Sequence, residues 1–375
     1  MTPRHTNIVL AAGGTGGHMF PAEALAGELN RRGFALALIT DRRGASFGEA
    51  SGVRTLRISA GHVSGSVLAK IKGLAALARG TFEAGRLLRE LDPAVVVGFG
   101  GYASVPTMLA ATRAGLATVL HEQNAVLGRA NRLLAHRVDL IATSFEYVEG
   151  VESGRVRLVR TGNPVRPAIA ALSREPYPMP QPDGPLHVLV TGGSQGAAVF
   201  GQVVPQAVAL LPPEHRARIS IVQQCRAEDL ERAKQAFAAA DVRAELAPFL
   251  HDMSDRLRVA QLVICRAGAS TVAELSAAGR PAILVPFPQA TDDHQTANAM
   301  ALAKAGGAVL IPQKELTAAV LAQRLTDFLT QPGRLVGGAA KSRAFGIPEA
   351  AERLAETVAE VARKGGNRPT REAAA

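Results

Sequence analysis

Short runs of consecutive apolar residues alternate along the chain with longer stretches whose apolar positions recur every three or four residues. The first kind reads as strand buried on both faces, the second as helix packed by one face. In the first half, strands are predicted near 7–12, 35–40, 94–98, 117–121 and 138–142, and helices near 20–32, 66–90, 104–114 and 125–135. The second half restarts the pattern, with strands near 186–191, 218–223, 243–248, 262–265, 282–286 and 308–311 and helices between them. Strict alternation of this kind predicts an α/β architecture of parallel sheets covered by helices. Between the halves stand Pro164, Pro167, Pro176, Pro178, Pro180, Pro182 and Pro185. Proline fixes its own φ and donates no hydrogen bond, so this stretch is neither continuous helix nor central strand. The expected domains are therefore 1–163 and 186–346, joined by a linker over 164–185. A C-terminal helix is expected over 347–363 and a frayed tail over 364–375.

Each half opens with a strand followed by a glycine-rich turn: Gly13-Gly14-Thr15-Gly16-Gly17-His18, then Gly192-Gly193-Ser194-Gln195-Gly196. Each carries a later glycine-bearing turn as well, Gly98-Phe99-Gly100-Gly101-Tyr102 in the first and Arg266-Ala267-Gly268-Ala269-Ser270 in the second. Glycine lets the backbone turn sharply and approach a ligand closely. A helix N-terminus behind such a turn offers unpaired N–H groups and partial positive charge, which suits phosphate. Ligands of open parallel sheets bind beyond the carboxyl ends of the strands, so the four turns are expected around one central cleft between two domains.

Composition narrows the possibilities. A chain of 375 residues that is 47% hydrophobic builds two cores, and without Trp these rest on Ala, Val and Leu. No apolar run approaches the ~20 residues of a membrane span. The apolar run after Arg4 and His5 is too short for a secretory signal of about 7–15 apolar residues, and reads as a first strand. Cys225 and Cys265, the two cysteines, are far apart and read as free thiols. The net charge of +10 admits nucleic acid, anionic lipid or a phosphorylated substrate as partner. No aromatic platform or recognition motif for nucleic acid accompanies it, so nucleic acid is not expected.

Several residues carry candidate chemistry. The first turn breaks the dinucleotide fingerprint, with Met19 where the third glycine belongs, and it lacks the P-loop lysine. Asp41 at the end of the second strand therefore reads as a turn residue rather than a ribose ligand. His18 is a candidate base, because imidazole exchanges a proton near neutral pH; the alternative is a histidine that only ties neighbouring loops. His121-Glu122-Gln123-Asn124 closes a strand with four polar groups. That suits a bound polar ligand, or else loop satisfaction with Asn124 as a helix cap. Thr271 to Glu274 fits a capping box, and Glu274 could equally grip ribose hydroxyls. Asp292-Asp293-His294-Gln295 does not make a metal site, since adjacent acids at a helix start diverge; Gln295 suits a sugar better. Over 66–90, Val67, Leu68, Ile71, Leu74, Leu77 and Ala78 lie beside Lys70, Lys72, Arg79, Arg86 and Arg89. That pattern fits a core-facing helix or one touching an anionic membrane surface.

Taken in order, Gly13 to His18, Gly100-Gly101-Tyr102, His121 to Asn124, Gly162-Asn163-Pro164-Val165-Arg166, Gly192 to Gly196 and the 266–274 segment resemble the MurG family of bacterial cell-wall synthesis. These are UDP-N-acetylglucosamine:lipid I N-acetylglucosaminyltransferases, and the likeness runs from about residue 6 to 360. It implies a GT-B fold of two Rossmann-like domains. It also implies an inverting hexosyl transfer without metal or other cofactor, in which the C4 hydroxyl of the lipid I N-acetylmuramyl sugar attacks C1 of UDP-GlcNAc to form the β-1,4 bond of lipid II. Carried over by motif, Ser194, Gln195 and Gly196 would hold the diphosphate, Glu274 the ribose, and Phe249 and Leu250 the uracil. Gly268, Ala269, Ser270, Thr271 and Gln295 would lie along the nucleotide-sugar, with His294 standing where some members carry a second glutamine. Arg166 would contact the donor from the hinge. Thr15, Gly16, Gly17 and Asn124 would lie near the transferred sugar and acceptor, and Gly14, Gly100, Gly101 and Tyr102 would hold the acceptor diphosphate. The family further implies a peripheral protein on the cytoplasmic face of the cell membrane, with anionic lipid and other cell-wall proteins as partners. Three rival readings of the residues are an epimerase acting on UDP-GlcNAc, a nicotinamide-dependent oxidoreductase and a non-enzymatic basic binding module.

Overall fold

The computed structural model describes residues 7–13, 16–41, 53–61, 66–152, 154, 156–193 and 196–365. The chain divides into two compact units, residues 1–164 with 349–375 and residues 165–348.

The first unit holds a seven-stranded sheet in the order β3-β2-β1-β4-β5-β6-β7. Its strands are β1 (Asn7–Ala11), β2 (Ala35–Thr40), β3 (Arg54–Arg57), β4 (Val95–Gly98), β5 (Thr118–Glu122), β6 (Leu140–Thr143) and β7 (Arg157–Arg160). Every pairing is parallel. Helices α1 (Gly16–Arg31), α2 (Val67–Leu91), α3 (Val105–Arg113) and α4 (Arg129–Leu134) connect them. Ile8 and Leu10 pack to one face with Leu25 and Leu29 of α1, while Val9 and Ala11 pack to the other with Leu88 of α2 and Met108 of α3. Burial on both faces is why these strands read as unbroken apolar runs, and each such side chain contributes about 1.5–3 kcal/mol.

The second unit repeats the design with six parallel strands in the order β10-β9-β8-β11-β12-β13. These are β8 (Leu186–Thr191), β9 (Ile219–Gln224), β10 (Arg243–Ala247), β11 (Leu262–Cys265), β12 (Ala282–Leu284) and β13 (Ala308–Leu310). Its helices are α5 (Pro167–Ala170), α6 (Ala198–Ala209), α7 (Pro213–Arg216), α8 (Leu230–Ala239), α9 (Met253–Val259), α10 (Ala269–Ala278), α11 (His294–Lys304), α12 (Ala318–Thr330) and α13 (Gly333–Phe345). Val188, Val190, Phe200, Ile221, Phe237, Ile264 and Leu325 centre its core. Both cysteines are buried and unpaired.

Four expectations are corrected. β3 and β7 were not foreseen: each is a four-residue edge strand with exposed arginines at both ends, a pattern too polar to register as a buried run. The proline-rich stretch is not a free linker, because Ile169 and Leu172 are buried in the second unit and the Tyr177 hydroxyl donates to the Gln261 carbonyl at 2.7 Å. The C-terminal helix, α14 (Ala350–Gly365), belongs to the first unit, where Leu354, Ala355, Val358 and Val361 join the core around Ile8 and Leu25. Glu360 on α14 forms a two-pronged ion pair with Arg157 of β7 at 3.1 Å. Finally, the helix expected near 20–32 begins at Gly16, so Gly16, Gly17 and His18 form its first turn. Residues 366–375, most of the expected frayed tail, lie outside the described residues.

Candidate active site

In each sheet the strand order reverses beside the first strand, between β1 and β4 and between β8 and β11. The four glycine turns stand at the carboxyl ends of those strands, the topological switch points where α/β sheets bind ligands.

At the first switch point the side chains of Ala103, Thr40 and Asp41 crowd Gly13 so closely that only glycine fits. A Cβ on Gly13 would lie 2.5 Å from that of Ala103, and Asp41, just past β2, sits against the same glycine. Gly100 and Gly101 turn with φ of +81° and +73°, in the left-handed region open to glycine. A Cβ on Gly101 would meet His18 Cδ2 at 3.2 Å, so the two turns foreseen separately close on one imidazole. His18 is half-buried, and its Nδ1 lies 3.2 Å from Gln123 Oε1. Tyr102, next in the chain, is half-buried. Gly14 and Thr15 lie outside the described residues.

The His121-Glu122-Gln123-Asn124 cluster faces inward. His121, Glu122 and Gln123 are at most 2% exposed. The Glu122 carboxylate accepts from the Asn124 and Gly128 backbone N–H groups, both at 2.9 Å, and from Asn131 Nδ2 at 2.8 Å and Asn124 Nδ2 at 3.3 Å. A carboxylate so saturated ties the loop after β5 together and has no capacity left for a ligand. His121 Nε2 donates to the Gly162 carbonyl at 3.0 Å, and burial pushes its pKa down to about 4. Asn124 does not cap a helix: α4 begins at Arg129 behind Gly128. Its half-buried side chain is the member of the cluster nearest to solvent.

At the second switch point a Cβ on Gly192 would lie 2.2 Å from the Ala197 nitrogen, and Gly193 and Gly196 have φ of +78° and +66°. Gln224, which the sequence reading did not single out, shapes this turn. Its Oε1 accepts from Thr191 Oγ1 at 2.9 Å and from the Gly192 N–H at 3.2 Å, while Nε2 donates to the Gly193 and Pro248 carbonyls. Arg226, also missed, runs its side chain against Gly196. Both follow the rule used at His121 to Asn124, since Gln223, Gln224 and Arg226 are polar groups at the carboxyl end of β9. Ser194 and Gln195 lie outside the described residues.

The capping box is overturned. α10 starts at Ala269 behind Gly268, and no side chain caps it. Thr271 therefore sits in the first turn, and Glu274 lies too deep in the helix to reach back. Among the described residues no side chain accepts from the first-turn N–H groups of Ala269, Ser270 and Thr271, the arrangement that suits an anion. Among the described residues the buried Ser270 hydroxyl has no hydrogen-bond partner. Glu274 instead pairs with Arg166, Oε1 lying 3.0 Å from Nε and 2.9 Å from Nη2. Burial raises the Glu274 pKa and the Arg166 charge opposes the rise. Gln295 Oε1 accepts from the Ala267 and Phe287 N–H groups at 3.2 and 2.9 Å, which turns its amide nitrogen away from those loops. His294 binds the Thr291 carbonyl at 2.7 Å. Asp292 and Asp293 both adopt left-handed φ, and Asp293 accepts from Thr296. Among the described residues no group of three His, Cys, Asp or Glu is placed to hold a metal ion. Arg266 is clamped by the Val285 and Pro286 carbonyls and Gln313, between the rings of Phe200 and Phe287. Beyond β10, Phe249 is 54% exposed and Leu250 is buried.

Two family models match this chain, the glycosyltransferase family 28 N-terminal domain over residues 8–143 and the C-terminal domain over 187–354. The chain belongs to glycosyltransferase family 28. Within family 28 it is 56% identical, over 97% of its length and 96% of the relative's, to the UDP-N-acetylglucosamine--N-acetylmuramyl-(pentapeptide) pyrophosphoryl-undecaprenol N-acetylglucosamine transferase of Rhodospirillum centenum. Among solved structures it is similar to Acinetobacter baumannii MurG, with a TM-score of 0.78 and 30% identity over 95% of this chain and 99% of that one. A putative UDP-N-acetylglucosamine 2-epimerase from Listeria monocytogenes superposes at a TM-score of 0.66 with 18% identity, covering 96% of this chain and 97% of that one. That likeness concerns the fold alone. The GT-B fold expected from the motifs is thus the fold of this family 28 glycosyltransferase, and fold by itself does not choose between transfer and epimerisation.

Proposed function

We propose that this chain is the MurG-type transferase that moves GlcNAc from UDP-GlcNAc to the lipid-linked N-acetylmuramyl pentapeptide, completing the disaccharide of the peptidoglycan precursor. The observation that carries the reading is the near full-length likeness to the Rhodospirillum centenum enzyme. The site chemistry supports it. In the second unit the diphosphate rests on the turn at Gly192 to Gly196 and the uncapped start of α10, with Glu274 and Arg166 at the ribose and Gln295 at the sugar. Negative charge grows on the β-phosphate as the C1–O bond breaks, and backbone N–H groups oriented in advance stabilise it. In the first unit the acceptor hydroxyl gives its proton to His18 Nε2 while its oxygen attacks C1, and the bonding electrons leave with UDP.

The acceptor is membrane-borne, and α2 supplies a surface for it. Ile71, Leu74 and Phe82 are 57, 54 and 75% exposed, among exposed Lys72, Arg79, Arg86 and Arg89. Leu77 lies half-buried between them, and Ala84 and Leu88 face the core. No helix among the described residues is long and apolar enough to cross a bilayer. Apolar side chains rimmed by cations suit the surface of an anionic leaflet, which for this reaction is the cytoplasmic one.

The test is incubation with radiolabelled UDP-GlcNAc, with and without a lipid I analogue. Label passing to the lipid fraction only when acceptor is present is the expected result. UDP-N-acetylmannosamine, or N-acetylmannosamine and UDP released by water, formed without acceptor would overturn the reading in favour of an epimerase.

A further inference from the structure

The hydrogen bonds behind His18 run in one direction, and each link follows from the one before. The Gly162 carbonyl only accepts, so His121 Nε2, 3.0 Å away, carries a proton. His121 is wholly buried, and with its pKa pushed down to about 4 by that burial it is neutral. Its Nδ1 is therefore a bare acceptor. Gln123 Nε2 lies 3.0 Å from that nitrogen and 3.0 Å from each of two carbonyls, of Phe99 and His121. Rotating the carboxamide by half a turn would set its oxygen against two carbonyl oxygens and a lone pair. The amide orientation is fixed by that surround, as hydrogen-bond networks fix it generally. Gln123 Oε1 then faces His18 Nδ1 at 3.2 Å as an acceptor, and Nδ1 must supply the proton.

We propose that Gln123, backed by His121, holds neutral His18 in its Nδ1–H tautomer, so that the lone pair stands on Nε2. The ring edge bearing Nε2 lies against Gly100 and Gly101, whose missing side chains would stand 3.5 Å from Cε1 and 3.2 Å from Cδ2. Gln123 and His121 are positioning residues. Neither meets substrate; they act through which nitrogen of His18 is bare. A base with its proton on the wrong nitrogen cannot take another there, whatever its pKa. The inference rests on the reading of His18 as the base.

The test uses the full chain labelled with 15N-histidine and a long-range 1H–15N correlation spectrum at a pH where His18 is neutral, its signals assigned by their loss in His18→Ala. The expected spectrum shows His18 protonated on Nδ1 and bare on Nε2. Gln123→Met removes the acceptor and keeps the volume. It should redistribute the tautomers and lower kcat about 10- to 100-fold, with the KM for UDP-GlcNAc nearly unchanged. His121→Phe leaves Gln123 its two carbonyls and should give a smaller loss of the same kind. A wild-type His18 protonated on Nε2 overturns the relay, and that spectrum decides the matter even if Gln123→Met fails to fold. Unchanged tautomer and kcat in a folded Gln123→Met protein overturn it too. A near-normal kcat in His18→Ala overturns instead the base reading on which the relay rests.

Discussion

The two switch points share a scaffold and differ in what they leave unsatisfied. Beside β1 and β4, at the end of β5, the polar side chains are buried and bonded to one another: Glu122 takes four donors and Gln123 serves His121, Phe99 and His18, while Thr40 Oγ1 and Asn131 Oδ1 have no partner among the described residues. At β8 and β11 the donors are left open, with α10 uncapped and the Ser270 hydroxyl lacking a partner among the described residues. The first arrangement makes a rigid mount for one imidazole, and the second a cradle for an anion. On the proposed function, one topology serves a proton acceptor in one unit and a charge stabiliser in the other, and the two differ in where their hydrogen bonds end.

The sharpest way to break this contrast is at His18. His18→Ala should lower kcat by about 10²–10⁴-fold, the range for a positioned base, and leave UDP affinity by calorimetry unchanged. A matching loss of UDP affinity would put His18 in the donor cradle and erase the distinction. Next in size is Glu274→Ala. It removes the partner of Arg166 and the proposed ribose ligand, and should weaken UDP binding by about 10- to 100-fold, as for loss of a hydrogen bond to a charged group. Unchanged affinity would leave Glu274 as an internal ion pair alone.

The first switch point should also be the acid-sensitive one. An unfolded His121 titrates near 6.5, while the folded residue titrates at about 4. The unfolded chain therefore binds the proton first, and the stability this histidine contributes is present above about pH 6.5 and lost as the pH falls toward 4. The loss is on the order of 3 kcal/mol. Chemical denaturation across that range should show this dependence in the wild type and lose it in His121→Phe. The smallest effect concerns the membrane surface. The paired change Leu74→Ser and Phe82→Ser should reduce sedimentation with phosphatidylglycerol vesicles severalfold, since each lost side chain contributes about 1.5–3 kcal/mol of transfer when fully buried. Transfer to a detergent-solubilised acceptor should persist, and equal losses in both assays would tie α2 to the site instead.

What the sequence made legible follows from how strongly burial constrains each element. The central strands and all four glycine turns were readable because a buried parallel strand must be apolar and a switch-point turn must be glycine. β3 and β7 were not, because an edge strand with arginines at both ends obeys neither rule. The 271–274 spacing suggested a capping box, yet Gly268 starts the helix three residues earlier, and only tertiary packing shows that Glu274 belongs to Arg166. Gln224 and Arg226 went unseen although they end a strand as His121 to Asn124 do. The direction of the bonds joining His18, Gln123 and His121 has no trace in the sequence, since it depends on carbonyls of Phe99 and Gly162 brought together by folding.

The division of labour is tested most directly by steady-state transfer of radiolabelled GlcNAc to a lipid I analogue, run side by side for wild type, His18→Ala and Glu274→Ala. The account predicts that His18→Ala loses kcat at a nearly unchanged KM for UDP-GlcNAc, whereas Glu274→Ala mainly raises that KM. The reverse split, or transfer that neither change disturbs, would contradict it.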